Sequence, residues 1–231
     1  MVLSSSLLII AAASDLAPLE SDLKRAAREK IGFEISFSYG SSGTLARQIR
    51  HGAPFDVYLS ANERFVIELA EQGHVKPESV RVYAEGRIAL WSKHGHQSLA
   101  DLTRPEVRHI AIANPDHAPY GAAAKQALES AGLWDKLRPK IVYGENVRQA
   151  WQFAESGNAD AAIVSHSLVR DSGVLIDRPA HQPIRHAAAI VARSNRAADG
   201  QRFLDWLSGP GGQALLAKFG FAQPGSSGVS H

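Results

Sequence analysis

The sequence predicts an α/β protein of two doubly wound lobes, joined by a two-strand hinge with a ligand cleft between them. Short apolar runs recur along it, each followed by a polar turn and an amphipathic stretch of helical length, the grammar of parallel α/β units. That rhythm holds from Leu7 to about Tyr83, breaks around Tyr83–Arg87, and resumes between Ile88 and Leu175. A last apolar run near Ile190 leads back toward the first half. The chain would therefore cross twice, with the hinge near 83–88 and 184–190. The expected lobes are 1–83 with 188–231, and 84–187. In open α/β sheets ligands bind at the carboxyl ends of the strands.

Each element has its own signal. Leu7 to Ala13 reads as a buried first strand, and Asp15 to Lys30 as a helix with Leu16, Leu19, Leu23, Ala26 and Ala27 on one face. Gly32 ends that helix, and Phe33-Glu-Ile-Ser-Phe37 alternates as a second strand. The stretch Ser38–Gly43 reads as a small-residue loop opening a helix from Thr44 to Arg50, which His51-Gly-Ala-Pro54 stops. Phe55 to Ser60 is a third strand, and Asn62 caps a helix from Glu63 to Gln72. In the second half, Ile88–Ser92, His109–Ala113, Lys140–Tyr143 and Asp160–Ser165 read as strands. Helices are predicted over 98–103, 121–130, 148–155 and 166–170. Ala187–Val191 is the returning strand, and helices over 200–207 and 212–219 close the fold.

Composition excludes several classes. A chain of 231 residues with 45% hydrophobic and 21% charged residues is long enough for a substantial core. The net charge of +2 is scattered, with no basic run longer than Lys24-Arg25, so a nucleic-acid groove is not expected. Cysteine is absent, which removes disulfides, thiol nucleophiles and thiolate metal sites together. The longest apolar run, Leu7 to Ala13, is far too short to span a bilayer. Met1–Ala13 is faintly like a secretory signal but lacks a basic start. Any export signal is expected to have been removed before Met1, and Gly225–His231 to form an unstructured tail.

Four turns share one grammar: strand, small or turn-forming polar residues, helix start. They are Ala13-Ser14, Ser41-Ser42-Gly43, Pro119-Tyr120-Gly121 and Asn146-Val147. The first amides of a helix have no intrahelical acceptor, and the macrodipole adds partial positive charge there. Each such turn taken alone is also an ordinary cap. Four of them, two in each lobe, suit a small enclosed dianion held by neutral donors.

At these residues the sequence resembles the periplasmic molybdate-binding proteins (ModA) of ABC transporters. The matching pieces are Ala11-Ala-Ala-Ser14, Ser41-Ser-Gly-Thr-Leu-Ala-Arg-Gln-Ile49 and Gly52-Ala-Pro-Phe-Asp-Val-Tyr-Leu-Ser-Ala61. They continue with Asn114-Pro-Asp-His-Ala-Pro-Tyr-Gly121, Ala124-Lys-Gln-Ala-Leu128, Glu145-Asn-Val-Arg148, Gly209-Pro-Gly-Gly-Gln213 and Lys218-Phe-Gly-Phe221. They lie in order over nearly the whole chain. The resemblance implies a type II periplasmic-binding-protein fold and a monomeric periplasmic receptor. Such a receptor takes molybdate or tungstate as transported ligand, needs no cofactor, does no chemistry, and delivers to the membrane permease of an ABC importer. It implies that Ser14 and Ser42 bind the oxyanion through hydroxyl and amide, and Tyr120 and Val147 through their amides, with Ala13 and Ser165 as further candidates. Molybdenum enters only as the oxyanion, so no cation site is implied. Many relatives carry a tyrosine where this chain has Ser165, and a serine reaches several ångströms less far.

His94 and His96, two residues apart in a turn, lack the spacing of a zinc motif. His117 is expected to stabilise its turn. A hydrolase using Ser14 or Ser42 with a histidine and Asp56 would need an elbow that Gly40-Ser41-Ser42-Gly43 does not supply. Phosphate would need a carboxylate acceptor, and Asp15, the one acidic residue at these turns, is expected to be turned away by its helix. Sulfate differs from molybdate mainly in size.

Overall fold

A computed structural model of the chain describes residues 7–225. Met1–Ser6 and all of the predicted tail but Gly225 lie outside the described residues. The chain divides into two compact units: unit 1 runs to Glu85 and resumes at Arg185, and unit 2 is Gly86–Ile184.

Unit 1 opens with β1 (Leu7–Ala13), which leads into a continuous helical run. That run is a 3₁₀ turn Ser14–Leu19, then α1 (Glu20–Ala26), then a wider turn Ala27–Ile31. Gly32 closes it in the left-handed region at φ 88°, with its amide donating to Ala27 O at 2.8 Å. β2 (Glu34–Gly40), α2 (Ser42–Arg50), β3 (Val57–Ser60), α3 (Glu63–Glu71) and β4 (Arg81–Gly86) follow. Unit 2 carries β5 (Ile88–Ser92), β6 (Ile110–Ala113), α4 (Pro119–Ser130), α5 (Trp134–Leu137) and β7 (Ile141–Gly144). It continues with α6 (Val147–Glu155), β8 (Ala161–Ser165), α7 (His166–Val169) and β9 (Val174–Leu175). β10 (Ile184–Ile190), α8 (Ala197–Ser208) and α9 (Pro210–Lys218) complete unit 1.

The sheets are mixed rather than purely parallel. Unit 1 has the order β2-β1-β3-β10-β4, and unit 2 the order β7-β6-β8-β5-β9. β10 runs antiparallel to β3, and β5 runs antiparallel to both β8 and β9. The strand-helix rhythm could not reveal this, because each reversed strand follows a crossing between units rather than a helix of its own unit.

Alternation along the central strands explains why they are buried on both faces. Leu8, Ile10 and Ala12 join one cluster with Val57, Leu59, Ala188 and Phe203, while Ala11 joins the other with Tyr58, Ala187, Leu45 and Leu69. Asp56 fastens the amino end of β3 by accepting from the Ile9 amide at 2.8 Å and the Ser194 hydroxyl at 2.6 Å. In unit 2, Trp91 on β5 meets Trp151 on α6 edge to face, with ring centroids 5.3 Å apart.

Asp160 does the corresponding work before β8. Its carboxylate accepts from the amides of Arg108 at 2.7 Å and His109 at 2.9 Å, and pairs with Lys93. Burial alone would raise its pKa, but Lys93 and the two amides outweigh that and hold it below the usual range. The stabilisation is present above the ordinary carboxylate pKa and is lost as pH falls below it. Asp160→Ala is expected to cost about 3 kcal/mol in urea unfolding at pH 7, because two amides lose their acceptor. At pH 3 the difference from wild type should shrink.

Candidate functional site

In unit 1 the parallel register pairs Ala13 with Gly40 and Ala12 with Leu59. The carboxyl ends of β1, β2 and β3 therefore lie side by side, and the residues just beyond them start helices on a common edge. Ser14, 2% exposed, is the first residue after β1, with Ala13 at the N-cap position of its turn and no side-chain cap there. β2 runs on through Gly40, so the expected loop over 38–43 shrinks to a single turn at Ser41. Ser38 to Gly40 stay in the strand because their partners on β1, Ala11 to Ala13, continue the ladder. Ser41 is the N-cap of α2, its hydroxyl accepting from the Thr44 amide at 3.3 Å.

Ser42 is therefore the first residue of α2, two positions earlier than the pattern suggested, and is 1% exposed. Its hydroxyl oxygen accepts from the Ala61 amide at 2.9 Å, which leaves the O–H proton as a donor. Its carbonyl accepts from the Tyr58 hydroxyl at 2.7 Å. Burial pushes the Tyr58 phenol well up, outweighing the Ser60 and Ser42 contacts that lower it, so it remains a donor. Sequence reading missed both supports. Tyr58 and Ala61 lie in the matching stretch 52–61, where their roles are visible only once β3 is placed beside β1.

Unit 2 builds its edge the same way. Parallel register pairs Ala113 with Gly144 and Ile110 with Ala161, which aligns the carboxyl ends of β7, β6 and β8. After β6, Tyr120 is the second residue of α4, which begins at Pro119 rather than Gly121, and is 2% exposed. Proline at the first helical position forfeits no hydrogen bond and sets the helical φ. After β7, Asn146 caps α6 by accepting from the Gln149 amide at 3.1 Å. Val147 is then its first residue, 3% exposed, with an amide beyond the reach of intrahelical acceptors.

Ser165, 1% exposed, ends β8 and caps α7. Its oxygen accepts from the Ser167 amide at 3.4 Å and is hydrogen-bonded to the Ser167 hydroxyl at 2.8 Å, where either hydroxyl can donate. A hydroxyl engaged in this way is a capping group first. Ser165→Ala is expected to lower stability by about 1 kcal/mol and to change oxyanion affinity by less than about threefold, as a thermal melt and a titration would show.

The six sequence candidates thus fall into two groups, Ala13, Ser14 and Ser42 on one edge of unit 1, and Tyr120, Val147 and Ser165 on one edge of unit 2. Asp56 belongs to neither. It lies at the amino end of β3, while Ser42 lies beyond the carboxyl end of β2, with β1 between the two strands, and its carboxylate already serves Ile9 and Ser194. That geometry gives no support to a serine–histidine–Asp56 hydrolase. Among the described residues no group of three or more histidine or acidic side chains could hold a metal ion. His117 lies 3.9 Å from Glu145 in the loop before α4. Asp15 is fully buried, 3.3 Å from His186, an arrangement no sequence signal announced.

Residues 8–222 match the family model described as bacterial extracellular solute-binding protein. The Molybdate-binding protein ModA of Rhodobacter capsulatus is 33% identical over 199 residues, covering 84% of this chain and 79% of that protein. The periplasmic molybdate-binding protein of Azotobacter vinelandii superposes with a TM-score of 0.88 at 32% identity, over 94% of this chain and 99% of that one. The sulfate-binding protein SubI of Mycobacterium tuberculosis shares the fold, with a TM-score of 0.79 at 16% identity over 96% and 88% of the two chains.

Proposed function

We propose, for a chain that belongs to the bacterial extracellular solute-binding proteins and within them to the ModA molybdate-binding family, the role of oxyanion receptor for an ABC importer. It is a binding protein, not an enzyme. The ligand is molybdate or tungstate, taken up outside the cytoplasm, in the periplasm, and delivered to the membrane permease. The donors in this reading are Ser14 and Ser42 of unit 1 and the amides of Tyr120 and Val147 of unit 2. The crossings near 83–88 and 184–190 act as the hinge.

The observation that carries this reading is the character of the donor set. Ser42 is buried, its hydroxyl oxygen accepts the Ala61 amide and so keeps its proton to donate, and Val147 offers an amide at a helix start. Neutral donors of this kind hold a fully ionised dianion without a paired cation. Each charge-assisted hydrogen bond contributes roughly 1.5–3 kcal/mol. A handful, less the costs of desolvation and closure, accounts for tight binding.

Calorimetric titration with molybdate, tungstate and sulfate tests the reading. The expected result is saturable binding of the first two at micromolar concentrations or below. A response to sulfate alone would overturn the ligand assignment.

A further inference from the structure

Behind the Ser14 turn lies a buried polar chain that the anion site does not use. Asp15 Oδ2 is 3.3 Å from His186 Nε2, and His186 Nδ1 is 3.2 Å from the Tyr83 hydroxyl. Asp15 and His186 are fully buried and Tyr83 is 1% exposed. The imidazole is held edge-on between two rings, Tyr83 at 5.6 Å and Phe221 at 5.2 Å between centroids. Burial depresses the histidine to about 3, so the ring is neutral. With Asp15 ionised, one proton order serves the chain: the Tyr83 O–H donates to Nδ1, and Nε2–H donates to the Asp15 carboxylate.

The three residues come from places that matter. Asp15 is the neighbour of Ser14 in the first turn after β1. Tyr83 lies on β4, which ends where the chain leaves unit 1, and His186 on β10, which begins where it returns. Successive residues of a 3₁₀ turn point about 120° apart, so Asp15 can reach His186 while Ser14 points elsewhere. Burying an ionisable pair where apolar side chains would pack gains little stability, and such pairs are best attested as devices that fix one arrangement.

We propose that His186 is a positioning residue for Ser14: it holds the Ser14 turn through Asp15 and ties it through Tyr83 to both strands at which the chain crosses between units. The proposal rests on the oxyanion-receptor reading. Ser14 makes the contact with the anion, and His186 sets where that contact lies. A shift of the turn by a few tenths of an ångström would lengthen the Ser14 hydrogen bonds while leaving the fold intact.

The test compares the wild-type chain with His186→Leu and His186→Gln. Glutamine presents an N–H donor and an oxygen acceptor about as far apart as the two ring nitrogens, whereas leucine presents neither. Molybdate affinity is expected to fall at least about tenfold in the leucine variant and to return to within about threefold of wild type with glutamine. A merely space-filling role would lower the melting temperature of both and leave their affinities alike, and that result overturns the proposal.

A second readout needs no ligand, so it stands even if the wild-type chain binds no oxyanion and the receptor reading itself fails. Amide hydrogen exchange at Ser14 and Asp15 should accelerate in the leucine variant and recover in the glutamine variant. Unchanged exchange overturns the proposal. Should the leucine variant not fold, nitrogen NMR of the wild-type histidines decides: a neutral Nε2–H ring for His186 supports it, and an Nδ1–H ring overturns it.

Discussion

Gly121→Ala is expected to destabilise the protein by about 3–5 kcal/mol and to abolish oxyanion binding at micromolar ligand. A Cβ at this position would stand 2.1 Å from the Ala113 carbonyl oxygen and 2.6 Å from its carbon. Both are backbone atoms at the end of β6, so no rotamer change relieves the clash, and α4 must move away from the sheet. In a free helix the substitution would gain about 1 kcal/mol, because alanine is the better helix former. The clash exceeds that gain several times over. α4 carries Tyr120 next to Gly121, so its displacement moves the amide assigned to the anion. A thermal melt should show a fall of roughly 10 °C. A melting temperature within about 2 °C of wild type would mean that α4 does not pack on β6 this closely.

Ser42→Ala has the second largest expected effect, and it acts on two quantities at once. The hydroxyl keeps the O–H that we propose donates to the anion, and it accepts the buried Ala61 amide at 2.9 Å. Its removal should weaken molybdate binding by about 1–3 kcal/mol, or roughly fivefold to 150-fold. Leaving the Ala61 amide without its acceptor should also cost about 1–3 kcal/mol of stability. Ser14→Ala should show an affinity loss of the same order. Titration separates affinity from stability, provided that each variant is measured well below its melting temperature. Two variants that both bind like wild type would remove the serines from the site.

Much of the arrangement could be read from residue order, and the parts that could not share a physical cause. Strands and helices were legible because apolar periodicity and caps such as Asn62 are local signals. The serines and the two helix starts were legible because a donor turn needs small or capping residues at fixed offsets from a strand. Strand direction was not. Whether β5 and β10 run with or against their neighbours depends on which edge the chain enters after a crossing, a long-range property. The end of β2 was misjudged for a related reason: Ser38-Tyr39-Gly40 looks like a loop alone and is a strand only because β1 continues beside it. His186 was invisible as well, since its partners stand 103 and 171 positions away and only the folded sheet assembles them.

The edge-to-face contact between Trp91 and Trp151 has a spectroscopic consequence. Trp151 sits one turn beyond Val147 on the same helix, and Trp91 lies on β5 of the same sheet. Two indoles 5.3 Å apart and nearly perpendicular couple their transition dipoles, which should produce a paired signal in circular dichroism. Both rings belong to unit 2, and Trp206, in unit 1, lies outside the pair. The molecule therefore carries an intrinsic chromophore pair that reports on the helix bearing Val147 without any attached label. Under the proposed site, its rotational strength is expected to change as molybdate is added, whereas a whole-protein melt averages over both units.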